Sequence, residues 1–230
     1  MDFCSFCAPF FSFFCCGSVL LLTNVIFGAM ESASVKFESL GYHSCREDGS
    51  PEELINMVPF LSRKNNQWLG QGYYFWTDNT YWALKWSGGV GRNVVSEFKL
   101  SLDKSYLLDL VGDINDQILF KGLVSMFAKR FGGQQTISAV MSWLLEERDK
   151  PDSYDLFPYW AVKAKDIPRG VERYPFVNAR KGDDSSVGYE ELLLVERHQM
   201  CVYSAYKNRV VTFERFVHPP HFMESNGAIA

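Results

Sequence analysis

Residues 68–79 read WLGQGYYFWTDN, with two glycines one residue apart, four aromatics in succession and a polar exit. Few local structures accept that order. Tyr, Phe and Trp favour strands, and glycines before them mark a turn or a close backbone approach. The stretch therefore reads as a glycine turn feeding a strand over Tyr73 to Trp76. From the residues alone, two meanings stay open. The strand is simply buried, or the bare backbone at Gly70 and Gly72 admits a flat ligand gripped by aromatic rings. The pair is no phosphate loop: it lacks the third glycine and following helix of a dinucleotide fingerprint, and the Lys-Ser/Thr of a P-loop.

The flanking segments show clear local signals. SVKFESLGYHSC has no breaker before Gly41 and reads as a strand ending near His43. Ser50, Pro51 and Glu53 form the capping-box start of a helix. Past the aromatics, Asp78, Asn79 and Thr80 can cap a short helix carrying Ala83, Leu84 and Trp86. Ser96, Phe98 and Leu100 then alternate with Glu97 and Lys99, as in a strand. Two helices are expected next. One runs from Asn115 to Phe131 and stops at Gly132-Gly133. The other runs from Gln135 to Arg148, with Ile137, Val140, Met141, Leu144 and Leu145 at helical spacing. Residues 152–180 carry no clear period, and 181–188 read as a loop. The tail from Tyr189 reads as strands with a turn near Lys207-Asn208. Strands flanking a helical insert define an α+β class. One domain over 31–230, with the insert at about 113–180, is the simplest organisation for 230 residues.

A net charge of −4 argues against holding nucleic acid by bulk electrostatics. It leaves a local basic patch open. Lys121, Lys129 and Arg130 are candidates on the first insert helix, although such a set is ordinarily a solvated face. Four of the six cysteines fall within the first sixteen residues, and Cys4-x-x-Cys7 has no second ligand pair at usable spacing. No metal is expected, and a reduced, cytoplasmic protein is. His198, His218 and His221 lack ligand spacing as well. Phe3 to Met30 holds no charged residue. That length suffices for a membrane span of roughly 20 residues, which would anchor the chain through residues 3–28. It lacks the basic start of a signal peptide, and it also fits upstream sequence ahead of a start at Met30. Residues 1–30 are therefore set apart from the domain.

The order of His43, a helix, Gly70-x-Gly72-x-Tyr74-Phe75, and a capped helix with Ala83 and a ring at Trp86, or alternatively Trp82, resembles the ADP-ribosyltransferases of the diphtheria-toxin and poly(ADP-ribose) polymerase type. It is similar in particular to bacterial and phage proteins with WLGxGxYFW and a later Leu-Asp-Leu strand, here LLDL at 107–110. The resemblance covers residues 36–110 well and the last strands loosely, and leaves the insert unmatched. It implies an ADP-ribosyltransferase-like split β-sheet core, with NAD+ as substrate and no metal. It implies catalytic roles for His43, Tyr74 and Gln199, and cofactor contacts from Ser44, Gly70, Gly72, Tyr73, Ala83 and Trp86. His43 would bond a ribose hydroxyl, and Tyr74 and Trp86 would sandwich the cationic nicotinamide.

Two positions depart from the family pattern. Its late Glu-apolar-apolar-Val-Tyr becomes QMCVY, so Gln199 keeps a hydrogen bond but carries no charge. Its Gly after the His becomes Ser44. Glu190 and Glu191 are alternative carboxylates nearby. The resemblance thus implies a mono-ADP-ribosyltransferase, not a chain-extending one. Its acceptor is a protein or RNA/DNA, its role that of a toxin or antiphage effector, and an antitoxin protein is an implied partner. The alternative is an inactive module that binds NAD+, ADP-ribose or a partner protein.

Overall fold

In the computed structural model, residues 35–64, 67–86, 92–133, 136–150, 156–176 and 191–225 are described. The apolar segment 1–30, the 181–188 loop and Glu190 lie outside the described residues. The strands are β1 (Lys36–Arg46), β2 (Tyr73–Thr77), β3 (Asn93–Asp103), β4 (Leu107–Asp109), β5 (Ala161–Asp166), β6 (Glu172–Pro175), β7 (Glu191–Leu194), β8 (Arg197–Val202) and β9 (Val211–His218). The helices are α1 (Pro51–Met57), α2 (Tyr81–Lys85), α3 (Ile114–Phe131), α4 (Ile137–Arg148), α5 (Lys207–Val210) and α6 (Pro220–Glu224). The class is α+β. A seven-stranded sheet runs in the order β4-β5-β8-β2-β1-β3-β9, antiparallel except at β4–β5, and β6–β7 form a separate ribbon.

Local chemistry accounts for the helix starts. The Ser50 hydroxyl accepts from Glu53 N–H at 3.3 Å, while the Glu53 carboxylate accepts from Ser50 N–H at 2.8 Å. That is the expected capping box of α1. For α2 the cap is Asn79, whose Oδ1 accepts from Tyr81 N–H at 2.8 Å; the Thr80 hydroxyl makes no cap bond. Asp113 and Thr136 cap α3 and α4. Gly132 ends α3 at φ 71°, a conformation that favours glycine.

α3 and α4 cover one face of β4-β5-β8-β2. Leu123, Phe127, Val140 and Leu144 pack there on Leu108 and Cys201. Arg130 pairs with Glu147 of α4, with N–O at 3.2 Å, yet stays exposed like Lys121 and Lys129. The other face builds a second core. Leu107 and Ala161 from one end of the sheet join Phe98, Leu100 and Leu102 of β3 in it. In a flat sheet β5 and β3 would lie four strand spacings apart, roughly 19 Å. Met200 and Val202 of β8 and Phe75 of β2 bridge that span, so the cluster runs along this face from β4 to β3. The shortest ladder is β1–β2, with two residue pairs, Gly41↔Thr77 and Tyr42↔Trp76. Gly41 makes this crossing possible, since a Cβ there would stand 2.6 Å from Leu100 Cδ1 and 3.0 Å from Phe75 Cβ.

Three expectations need correcting. β1 does not end near His43 but runs to Arg46, because β3 pairs with it along its whole length. The insert does not reach 180: β5 is an interior strand of the main sheet, paired on both sides. Its Lys163 and Lys165 interrupt the apolar signal that Ala161, Val162 and Ala164 would otherwise give. The turn near Lys207-Asn208 is a 3-10 turn over Ser204–Tyr206 running into α5. Among the described residues, no helix is long and apolar enough to cross a membrane.

Candidate ligand cleft

The cleft opens where β1 and β2 part. A continued ladder would set Ser44 opposite Tyr74, following the register of Tyr42 on Trp76. Instead the His43 ring bridges the gap, and its Nδ1–H donates to the Tyr74 carbonyl at 3.0 Å. On the ring's other side, Phe60 N–H donates to Nε2 at 3.2 Å. A carbonyl only accepts and an amide N–H only donates, so the tautomer is the neutral Nδ1–H form. Burial holds the imidazole below its ordinary value, in agreement with this neutral ring.

The cavity measures about 370 Å³, within the range of small-molecule sites. β1 contributes His43, Ser44 and Cys45; β2 contributes Tyr74 and Trp76; β8 contributes Gln199. Phe60, Leu61 and Ser62 form a wall after α1, Gln67 and Trp68 another, and Trp86 stands at the end of α2. Trp76 is 5% exposed, whereas Trp86 is 62% exposed with its ring 5.4 Å from that of Trp76. Trp86 is thus a ring free to cover a ligand. Tyr74 is the rigid wall. Its hydroxyl donates to Gly70 O at 2.7 Å and accepts from Leu69 N–H at 3.0 Å, and burial pushes its pKa far up. Burial also raises the Cys45 thiol to about 11, so it stays protonated at neutral pH.

Of the residues singled out in the sequence, His43, Ser44, Tyr74, Trp86 and Gln199 meet in this cleft. Four do not. Gly70 adopts φ +87°, and a Cβ there would meet Leu145 Cδ1 at 2.6 Å. At Gly72 a Cβ would meet Cys201 Sγ at 2.6 Å and Val202 O at 2.7 Å. The backbone conformation favours glycine at 70 and the packing against β8 requires it at 72, so the chain's own structure accounts for both without a ligand. Tyr73 faces the opposite side of the sheet, against the second core, with Lys207 over its ring at 5.5 Å. Ala83 is fully buried; its carbonyl accepts from the Ser44 hydroxyl, which ties β1 to α2. His43 lines the cleft, but both its ring nitrogens are taken by main chain, so a ribose hydroxyl would have to displace Phe60 N–H. Glu191 lies outside, paired with Arg173 at 3.0 Å.

Several lining residues escaped the sequence reading. Phe60, Leu61, Ser62 and Gln67 sit in loops with no distinguishing pattern. Trp68 bears on the chemistry most. Its indole Nε1–H donates to Gln199 Oε1 at 3.0 Å. None of the described lining residues is acidic. Among the described residues, no group of three or more His, Cys, Asp or Glu side chains could hold a metal ion. No protein-family model, no curated protein and no solved structure matches this chain.

Proposed function

We propose that the cleft takes the nicotinamide end of NAD+, and that the protein is a mono-ADP-ribosyltransferase with an ADP-ribosyltransferase-like split sheet. The observation that carries this reading is the meeting of His43, Tyr74 and Gln199 from three strands, beside the tilted Trp76–Trp86 ring pair, in a cavity of suitable size. A flat cation between Tyr74 and Trp86 gains about 1–2 kcal/mol from the ring faces. With the ring held, cleavage of the C–N bond leaves an oxocarbenium ion, and positioning does much of the work. The released ADP-ribose goes to a protein or nucleic-acid acceptor. A toxin or antiphage role, with an antitoxin as partner, follows from the sequence resemblance alone.

A second reading rests on a different observation. The cleft has no carboxylate among its described lining residues, and His43 is saturated by main chain. Those features suit a module that binds NAD+ or ADP-ribose without turnover. One experiment separates the two. The full chain is incubated with NAD+ alone, with lysate, with RNA and with DNA, and nicotinamide and ADP-ribosylated product are followed by mass spectrometry. A transferase releases nicotinamide with one acceptor class and loses that release in Trp86→Ala and Gln199→Leu. Folded protein that binds NAD+ without releasing nicotinamide is the binding module. Protein that binds neither NAD+ nor ADP-ribose and does not cleave NAD+ excludes both.

A further inference from the structure

We propose that Trp68 is a positioning residue that fixes the Gln199 amide so that its NH2 group faces the cleft, making this wall a hydrogen-bond donor that selects an acceptor oxygen on the ligand. The inference deepens the NAD+ reading and rests on it for the identity of that oxygen, which is then one of the nicotinamide ribose.

The indole N–H can only donate, so the Gln199 atom 3.0 Å from it must be the carbonyl oxygen. The amide cannot flip without setting two donors against each other. Its Nε2 has no partner among the described residues and is not among the fully enclosed orphan atoms, although Gln199 lines the cleft. β8 sets the backbone of Gln199 from both sides, opposite Trp76 of β2 and Ala164 of β5, so the side chain has a fixed origin. Trp68 is similarly held beside Leu69, whose N–H and C=O are bonded to Tyr74 and Tyr203 hydroxyls. A carboxylate at 199 would behave otherwise. Its two oxygens are equivalent, so it would present an acceptor to the cleft whichever way it turned. Gln199 therefore changes the sign of the hydrogen bond offered to the ligand, and Trp68 holds that sign in place.

The test is a double-mutant cycle on the full chain, with NAD+ affinity read by calorimetry for wild type, Trp68→Phe, Gln199→Glu and the double variant. Trp68→Phe keeps a ring in the wall but removes the N–H. In the Gln background it should weaken NAD+ by about fivefold to tenfold, the effect of one hydrogen bond. In the Gln199→Glu background the same change should alter affinity by less than about twofold, because no amide remains to orient. Equal losses in the two backgrounds would make Trp68 a plain wall and overturn the proposal. A second measurement needs no ligand: the Trp68 indole proton is followed by NMR hydrogen exchange. It should be protected in wild type and in Gln199→Glu, and exposed in Gln199→Leu. Protection unchanged in Gln199→Leu overturns the proposal. If NAD+ fails to bind wild type, the NAD+ reading falls, and the indole exchange decides the amide orientation by itself.

Discussion

At the residue scale, His43 has a pH dependence built into its contacts. Protonating Nε2 would set one N–H against the Phe60 N–H that it now accepts. Burial lowers the folded-state pKa below 6.5, so between that lowered value and 6.5 the unfolded chain binds more protons than the folded one. Stability therefore rises with pH through this window. The contribution is complete above about 6.5 and is lost as pH falls through the folded value. Urea midpoints measured from about pH 7.5 down to about 5 should decline in wild type, and the decline should flatten in His43→Asn. The lowered carboxylates of Asp113 and Glu147 start from 3.8 and 4.5, below this window. The glycines teach a related lesson. Their unusual spacing was visible in the chain, but the neighbours that forbid a Cβ at Gly72, Cys201 and Val202, lie 129 and 130 residues away.

Elements were the most legible level, because their signals are local. The capping box of α1 is written in four consecutive residues and is present as expected. Ser50→Ala should cost about 1 kcal/mol of unfolding free energy by urea titration. On the proposed reading NAD+ affinity should stay close to wild type, since Leu54 of α1 is fully buried and anchors the helix without the cap. α3 and α4 carried periodic apolar positions and clear stops, and lie within two residues of their expected bounds. β5 was hidden for a physical reason. It is short, interior and interrupted by two lysines, one of which reaches Asp78 at 3.4 Å while the other pairs with Glu196 at 3.0 Å. Ion pairs formed at a distance in sequence let charged residues sit in a strand that its pattern disguises.

At the scale of the whole molecule, the second core runs along one face of the sheet from β4 to β3. Phe75 stands at its centre, fully buried, with its ring 5.3 Å from Phe98 of β3 and 6.2 Å from His43 of β1. Phe75→Ala should cost about 3–5 kcal/mol by denaturant unfolding, and ligand binding should weaken with it because His43 loses packing. The α+β class, the helices and most strands were determined by the sequence itself, since capping, turn chemistry and apolar period act over a few residues. It also marked His43, Ser44, Tyr74, Trp86 and Gln199 as residues that share a site. Tertiary structure alone decided which way each one faces. Only there does Tyr73 turn from the cleft, do Gly70 and Gly72 meet their own chain, and does Trp68 reach Gln199 across 131 residues. Strand order and register decide those contacts, and an alternating pattern specifies neither, because it records which face is apolar and not which strand lies alongside.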